Sequence, residues 1–266
     1  MTTSEPTTEP TTGSSPTWLT AFLDLAADDF ERGVVFWAGV TGHEVSPSRG
    51  LHDEFATLVA ADGDDHLRVQ CLRAGRSGVH LDLHVTDPWT AAQRAVRLGA
   101  SVVADRGHVV LESPAGLTFC LVPEPAPARL VRSAPASWPG GRSQVDQVCL
   151  DVGPAAYDVE CAFWQELTGF DPTPVDEPEF RRLDGAGMPL RLLLQRLDEE
   201  RAPGIHLDLA ADDRAAEVAR HLALGAVPAP APAGPDRGFT VLVDPAGSSY
   251  CITDRTPGTW GAGSGT

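Results

Sequence analysis

The stretch Gly78-Val79-His80-Leu81-Asp82-Leu83 returns, with a single change, as Gly204-Ile205-His206-Leu207-Asp208-Leu209. Both copies have the alternation of a half-buried β-strand, whose side chains repeat with period two. His and Asp therefore share one face and the aliphatic residues the other. Each copy leads into an acidic turn and an Ala-rich helix ending at Leu-Gly-Ala, Leu98-Gly99-Ala100 and Leu224-Gly225-Ala226. A chain that repeats its polar strand face is expected to build two related pockets.

Other motifs repeat around this pair. Phe-Trp-x-x-x-Thr-Gly begins at Phe36 and again at Phe163, and Pro-Ala-Gly at Pro114 and Pro245. The offsets are about 127 and 131, against about 126 for the His strand. Three motifs in one order at nearly one offset imply an internal duplication.

The chain in order supports the same reading. Residues 18–25 read as a strand, and Asp28 and Asp29 open a helix by favouring the positive end of its dipole. That helix carries Phe36 and Trp37 and stops at Thr41-Gly42. Strands are predicted over 55–60 and 66–72, then the His80 strand, a helix over about 87–98, and strands over 101–104, 108–112 and 117–122. The second half predicts a strand over 144–152, a helix with Phe163 and Trp164 ending at Thr168-Gly169, and strands over 180–183 and 190–197. The His206 strand, a helix over about 212–224 and strands over 239–243 and 249–253 follow. Strand, helix and three strands thus recur four times, as βαβββ units in two pairs. The predicted class is α+β. Domains are expected over 17–124 and 143–255, joined by a Pro/Ala-rich linker over 125–142. Residues 1–16, rich in Thr, Ser, Pro and Glu without an apolar core, predict a disordered tail that is neither signal peptide nor membrane anchor. Residues 256–266 are expected to fray.

Composition narrows the partners. Asp and Glu outnumber Lys and Arg by 37 to 20, a net charge of -17. That argues against a nucleic-acid backbone or an anionic membrane as partner. Cys71, Cys120, Cys149, Cys161 and Cys251 are widely spaced and form no Cys-x-x-Cys pair. Neither a disulfide framework nor a zinc knuckle is indicated, and reduced thiols in a cytoplasmic protein are the simplest account. Gly75-Arg76-Ser77-Gly78 lacks the length and the Lys of a phosphate loop, and no Gly-x-Ser-x-Gly occurs.

In order and spacing these motifs resemble the vicinal oxygen chelate superfamily, and within it proteins with tandem glyoxalase-like domains. The superfamily includes glyoxalase I, extradiol dioxygenases and bleomycin-resistance proteins. The resemblance implies that paired βαβββ units curl into a cup. It also implies a divalent metal there, held by His, Gln and Glu from the first and last strands of the units. The first-strand positions fall on Thr20, His80, Gln147 and His206. The last-strand positions fall near Gln70, on Cys120, near Leu193 and on Cys251. Gln147, in Val145-Asp146-Gln147-Val148, matches the family pattern, whereas no Glu stands where the family places one. The resemblance thus implies metal ligands among Gln147, His206 and His80, for Zn, Ni, Mn or Fe; the missing Glu points instead to no metal.

The candidate catalytic residues are His80 and His206, with Asp82 and Asp208 on the same strand faces to orient the rings or raise their basicity. The bland alternative is a hydrogen-bonded structural His in each half. Candidate ligand-binding residues are Trp37, Trp164 and His84, and the alternative for the two Trp is core packing. Ala210 replaces His84 in the second half, which makes the two cups inequivalent. Three functions fit these residues. One is a metal-dependent lyase, isomerase or dioxygenase acting on an oxygen-chelating compound. Another is a metal-free protein that sequesters a drug or metabolite, for which the acidic charge would suit a cationic ligand. The third is a metal-free enzyme using a His/Asp pair for proton transfer. In each the partner is a small molecule, with no nucleic acid and no membrane, and the chain is a monomer or a homodimer.

Overall fold

The structure is a computed structural model, and it describes residues 15–124, 130–230 and 236–259. Most of the expected tail, the first part of the linker and the last residues of the chain lie outside them. The first domain runs β1 (Trp18–Ala26), a 3-10 turn (Ala27–Asp29), α1 (Phe30–Thr41), β2 (Glu44–Val45), β3 (Phe55–Val59) and β4 (Leu67–Leu72). It continues with β5 (Gly78–Val85), α2 (Pro88–Arg97), β6 (Ser101–Asp105), β7 (Val109–Glu112) and β8 (Thr118–Pro123). After β9 (Ala136–Trp138), the second domain runs β10 (Gly141–Val152), α3 (Tyr157–Thr168), β11 (Asp171–Thr173), β12 (Phe180–Asp184) and β13 (Arg191–Arg196). It closes with β14 (Gly204–Ala211), α4 (Arg214–Ala223), β15 (Val227–Pro228), β16 (Phe239–Val243) and β17 (Ser249–Thr253).

Each domain is one open mixed sheet. The first has eight strands in the order β2-β3-β4-β1-β5-β8-β7-β6. The second has the matching order β11-β12-β13-β10-β14-β17-β16-β15, with β9 paired antiparallel to the start of β10. In both sheets the two unit-opening strands, β1 with β5 and β10 with β14, pair antiparallel at the centre. The His-bearing strands therefore lie mid-sheet, flanked by the strands that open and close the units.

Local chemistry explains the recurrent helix motif. Thr41 Oγ1 donates to the Trp37 carbonyl at 2.8 Å, and Thr168 Oγ1 to the Trp164 carbonyl at 2.6 Å. Gly42 and Gly169 then adopt left-handed φ values of 70° and 69°, where a side chain would be strained. Trp-x-x-x-Thr-Gly is thus a helix terminator. The second helices begin on Asp87 and Asp213, whose carboxylates accept first-turn N–H groups.

The core lies between the two sheets, and the helices cross over. Leu81 and Leu83 of β5 and Leu207 and Leu209 of β14 turn inward into one cluster. Trp37 of α1 packs edge-on against Tyr250 of β17, at 5.2 Å between ring centroids, and Trp164 of α3 packs in the same way against Phe119 of β8, also at 5.2 Å. Arg220 of α4 donates to the Gly39 and Val40 carbonyls of α1, and Arg94 of α2 donates to the Leu167 carbonyl of α3. Each domain thus satisfies the open carbonyls at the end of the other's first helix.

Several expectations need correction. Trp37 and Trp164, read as candidate ligand-binding residues, are 1% and 0% exposed and sit in this core. The short edge strands β2, β11 and β15 were not anticipated, because two or three residues leave no periodicity to read. Part of the expected linker is strand β9. Residues 256–259 are also not frayed, since Thr259 N donates to the Thr256 carbonyl and the Thr259 carbonyl accepts from Arg191.

Candidate functional site

The outward faces of the central strands carry matching polar clusters. In the first domain His80 Nδ1 lies 2.7 Å from Asp24 Oδ2, and its Nε2 lies 3.6 Å from Asp82 Oδ1. In the second, His206 Nδ1 and Nε2 each lie 3.3 Å from a carboxylate oxygen, of Asp151 and Asp208 respectively. Both His residues are thus clamped between an Asp on the neighbouring strand and the Asp two residues on. Burial works against a charge on either ring; Asp24 and Asp82 outweigh it at His80, and Cys149 with Asp151 and Asp208 outweighs it at His206. Both pKa values are raised well above 6.5, so the surroundings favour the charged rings. Beside His206, burial pushes the Cys149 thiol up to about 12. Burial also opposes the charge on Asp208, and the hydrogen bond from His206 outweighs it, so the Asp208 pKa is lowered. The Cys251 thiol, 3.6 Å from His206 Nε2, is raised by burial and by the charge of Asp208.

Asp24 and Asp151 were missed in the sequence. They belong to the same duplication, at an offset of 127 residues within Leu23-Asp24-Leu25 and Leu150-Asp151-Val152. That shared offset was the available signal. The tetrad of β-strand Asp, His, Asp and Cys is kept in both domains as Asp24, His80, Asp82, Cys120 and Asp151, His206, Asp208, Cys251.

The cups differ around this shared floor. In the first, the Phe22 ring stacks on His80 at 4.8 Å with 7° between planes, and the Arg68 guanidinium lies 5.7 Å over Phe22. His84, the third candidate ligand-binding residue, is buried with Nε2 2.9 Å from Thr20 Oγ1. Burial, with help from Arg68, lowers its pKa. In the second, Cys149 replaces Phe22, and a cavity of about 210 Å³ lies over His206 and Asp208. Val175, Phe180, Leu193 and Phe239 supply its apolar wall, and Arg182, Arg237 and Arg255 supply cationic groups. Arg237 lies over both Phe180 and Phe239 and pairs with Glu179. Arg255 pairs with Asp146, which sits on a β-bulge between Val145 and Gln147. Gln147 faces the cavity and donates from Nε2 to Asp208 Oδ2 at 2.6 Å.

A family model described as glyoxalase-like domain matches residues 20–122 and again 147–253. The chain belongs to the glyoxalase-like domain family. Solved structures with the same fold include a mutant of 4-hydroxymandelate synthase from Streptomyces coelicolor, 16% identical with a TM-score of 0.59, covering 93% of this chain and 94% of that one. The 2,3-dioxygenase LapB from Pseudomonas sp. KL28 is 17% identical with a TM-score of 0.57, covering 92% and 93%. An extradiol ring-cleaving dioxygenase from B. fuscum is 15% identical with a TM-score of 0.61, covering 97% and 77%. No curated protein sequence matches this glyoxalase-like chain. Among the described residues no helix is long and apolar enough to cross a membrane.

The resemblance implied a metal held by Gln147, His206 and His80. His80 and His206 fall in separate clusters of possible donors. His80, Asp82 and Cys120 do bring possible donor atoms within 4.8 Å of one another, as do Cys149, His206 and Asp208. Their donor sets argue against a fit. A metal ligand must offer a lone pair, and His80 Nδ1 is already engaged by Asp24 at 2.7 Å, while neither cluster contains the Glu that the family uses. Gln147 turns its amide N–H to Asp208, and the neighbouring thiols are pushed towards the protonated form. With Cys and Asp in place of Glu, these donor sets are not those of the family's metal site.

Proposed function

We propose that the second cup binds a small molecule with an apolar body and anionic or carbonyl oxygens, and that the Asp151–His206–Asp208 clamp moves a proton on it. The observation that carries this reading is the cavity over the His206 clamp, at the place where Phe22 covers the matching ring of the first cup. A buried imidazolium is a strong hydrogen-bond donor, and its adjoining carboxylates can take or return its proton. Phe180 and Phe239 suit an apolar body, and Arg182, Arg237 and Arg255 suit oxygens of negative charge. Each of these cations is paired with a carboxylate, Arg182 with Asp184, Arg237 with Glu179 and Arg255 with Asp146, so they offer N–H donors to ligand oxygens rather than a net positive charge.

A second reading, sequestration without chemistry, draws on the thiols. Burial raises Cys149 and Cys251, so the cavity has no activated sulfur nucleophile. One experiment separates the two. Small hydroxy acids, keto acids and phenols are screened by thermal shift, and each binder is followed by NMR in deuterated water for exchange at carbon next to its carbonyl. Proton transfer predicts exchange that His206→Gln removes while binding persists. Binding without exchange favours sequestration. Binding unaffected by both His206→Gln and Arg237→Ala would place the ligand elsewhere and sink both readings.

A further inference from the structure

Away from both cups, a cavity of about 10 Å³ lies where α1 ends, beside the residue that precedes β4 and the start of β10. That is about the room of one water-sized ion. His43, His66 and Gln144 line it, and each has a buried polar atom with no protein partner: Nδ1, Nδ1 and Oε1. His66 is 1% exposed and Gln144 8%.

The state of each atom follows from its other bonds. His66 Nε2 lies 3.1 Å from the Val145 carbonyl, which can only accept, so Nε2 carries the proton and Nδ1 a lone pair. Gln144 Nε2 donates to the Ser133 carbonyl at 2.8 Å, leaving Oε1 as an acceptor. The Leu58 carbonyl accepts from the His43 ring, whose Nδ1 is unpartnered, so Nδ1 is again a lone pair. Two imidazole lone pairs and one amide oxygen therefore line one small space. Acceptors cannot satisfy one another, and one water has two protons for three of them. A cation satisfies all three. A neutral imidazole whose far nitrogen is held by a carbonyl is how proteins orient a His ligand. The two ring centroids are 6.5 Å apart. With bonds of about 2.1 Å, imidazoles sharing one tetrahedral ion place their centroids roughly 5–5.5 Å apart, so binding draws the two rings about 1 Å together. Asp62 and Asp65 add negative charge beside His43. A larger cavity of about 330 Å³, lined by Asp62 and Trp138, shares Thr41, His43, Ala134 and Ala136 with the small one and gives a way in.

We propose that His43, His66 and Gln144 bind one divalent transition-metal ion at the junction of the two domains. Imidazole nitrogen with amide oxygen and no thiolate suits borderline ions such as zinc, nickel or copper. His43 follows α1, His66 precedes β4 and Gln144 belongs to β10, so the ion ties the first domain to the second. The site is independent of the cup and of the function proposed there.

The test uses the untagged full chain, stripped with a chelator and titrated with zinc ion alone by calorimetry, with metal content by elemental mass spectrometry. One ion per chain is expected, with a rise in Tm on adding zinc. Gln144→Leu and His43→Ala should each weaken binding about tenfold or more, while His206→Gln binds as the parent does. Gln144→Leu keeps the side-chain bulk, so it guards against a folding defect in the other variant. Absence of stoichiometric zinc, or undiminished affinity in both junction variants, overturns the proposal. Loss of zinc in His206→Gln overturns it as well, by moving the ion to the cup.

Discussion

Trp37 Nε1 donates to Asp244 Oδ2 across the domain junction at 2.9 Å, whereas its counterpart Trp164 donates at 2.7 Å to Glu160 on its own helix. The two junctions solve one problem from opposite sides. Asp244 opens the turn before β17 and also accepts from Ala246 N and Ser248 N. The matching turn opens on Ser113, and there Glu160 reaches across to accept from Ala115 N. The position matching Glu160 in α1 is Gly33, where an added Cβ would stand 2.8 Å from Leu25. Each junction thus holds one buried carboxylate, supplied by the turn in one case and by the helix in the other.

Asp244→Ser copies the first domain's turn without supplying the helix carboxylate. It leaves the Trp37 and Ala246 N–H groups short of an acceptor, while the Ser hydroxyl can still accept from Ser248 N as Ser113 does from Leu117 N. Destabilisation on the order of 2 kcal/mol is expected from such buried unpaired donors. Adding Gly33→Glu should not rescue it, because the Leu25 contact leaves no room. Denaturant unfolding of the single and double variants measures both effects, and a rescued double variant would refute the account of Gly33.

How far the sequence reached is seen in these same elements. The four units were legible because strand alternation, helix caps and repeat offsets are local patterns. The partner of His80 was not, since Asp24 lies 56 residues away and meets it only through the β1–β5 register. The role of Trp37 was equally hidden, because a Trp facing a cup and one facing the other domain have the same helical spacing. The bulge at Asp146 did leave a trace. Trp18 and Gln144 pair with His84 and Ala210 at an offset of 126, and beyond the bulge Thr20 and Gln147 pair with Asp82 and Asp208 at 127.

The clamps set an alkaline limit. His80 and His206 have folded pKa values raised well above 6.5. Below pH 6.5 the unfolded rings are charged too, and the clamps contribute their full stabilisation. That contribution is lost as pH rises through the folded values. Tm should therefore fall on the alkaline side, and the double variant His80→Gln with His206→Gln should flatten this fall. An equally steep alkaline loss in the double variant would count against charged rings.

The helix terminator also makes a quantitative claim. Gly169→Ala forces a Cβ into a left-handed residue with φ of 69° and should cost about 1 kcal/mol. Thr168→Ala removes the bond to the Trp164 carbonyl and should cost a similar amount, near 1 kcal/mol. Both losses should appear in thermal unfolding, with ligand binding in the second cup unchanged. A loss of ligand affinity would mean that the motif serves the cup directly.

Cys149→Phe tests the difference between the cups most directly. Cys149 and Phe22 are matched in the duplication, each opposite its clamp His in the β10–β14 and β1–β5 registers. Phe22 lies flat on His80, so a Phe at 149 has a ready partner in His206 and a cavity of about 210 Å³ to enter. Overpacking a filled core costs about 1–3 kcal/mol, but here the ring enters open space, so a stability change below about 1 kcal/mol is expected. Binding of any second-cup ligand should fall by at least about a hundredfold, because the ring takes the ligand's place over the clamp. The reverse change, Phe22→Cys, should open the first cup at a cost of about 3 kcal/mol for the lost buried ring. Calorimetry on both variants reads the outcome, and undiminished affinity in Cys149→Phe would mean that the ligand does not sit over His206.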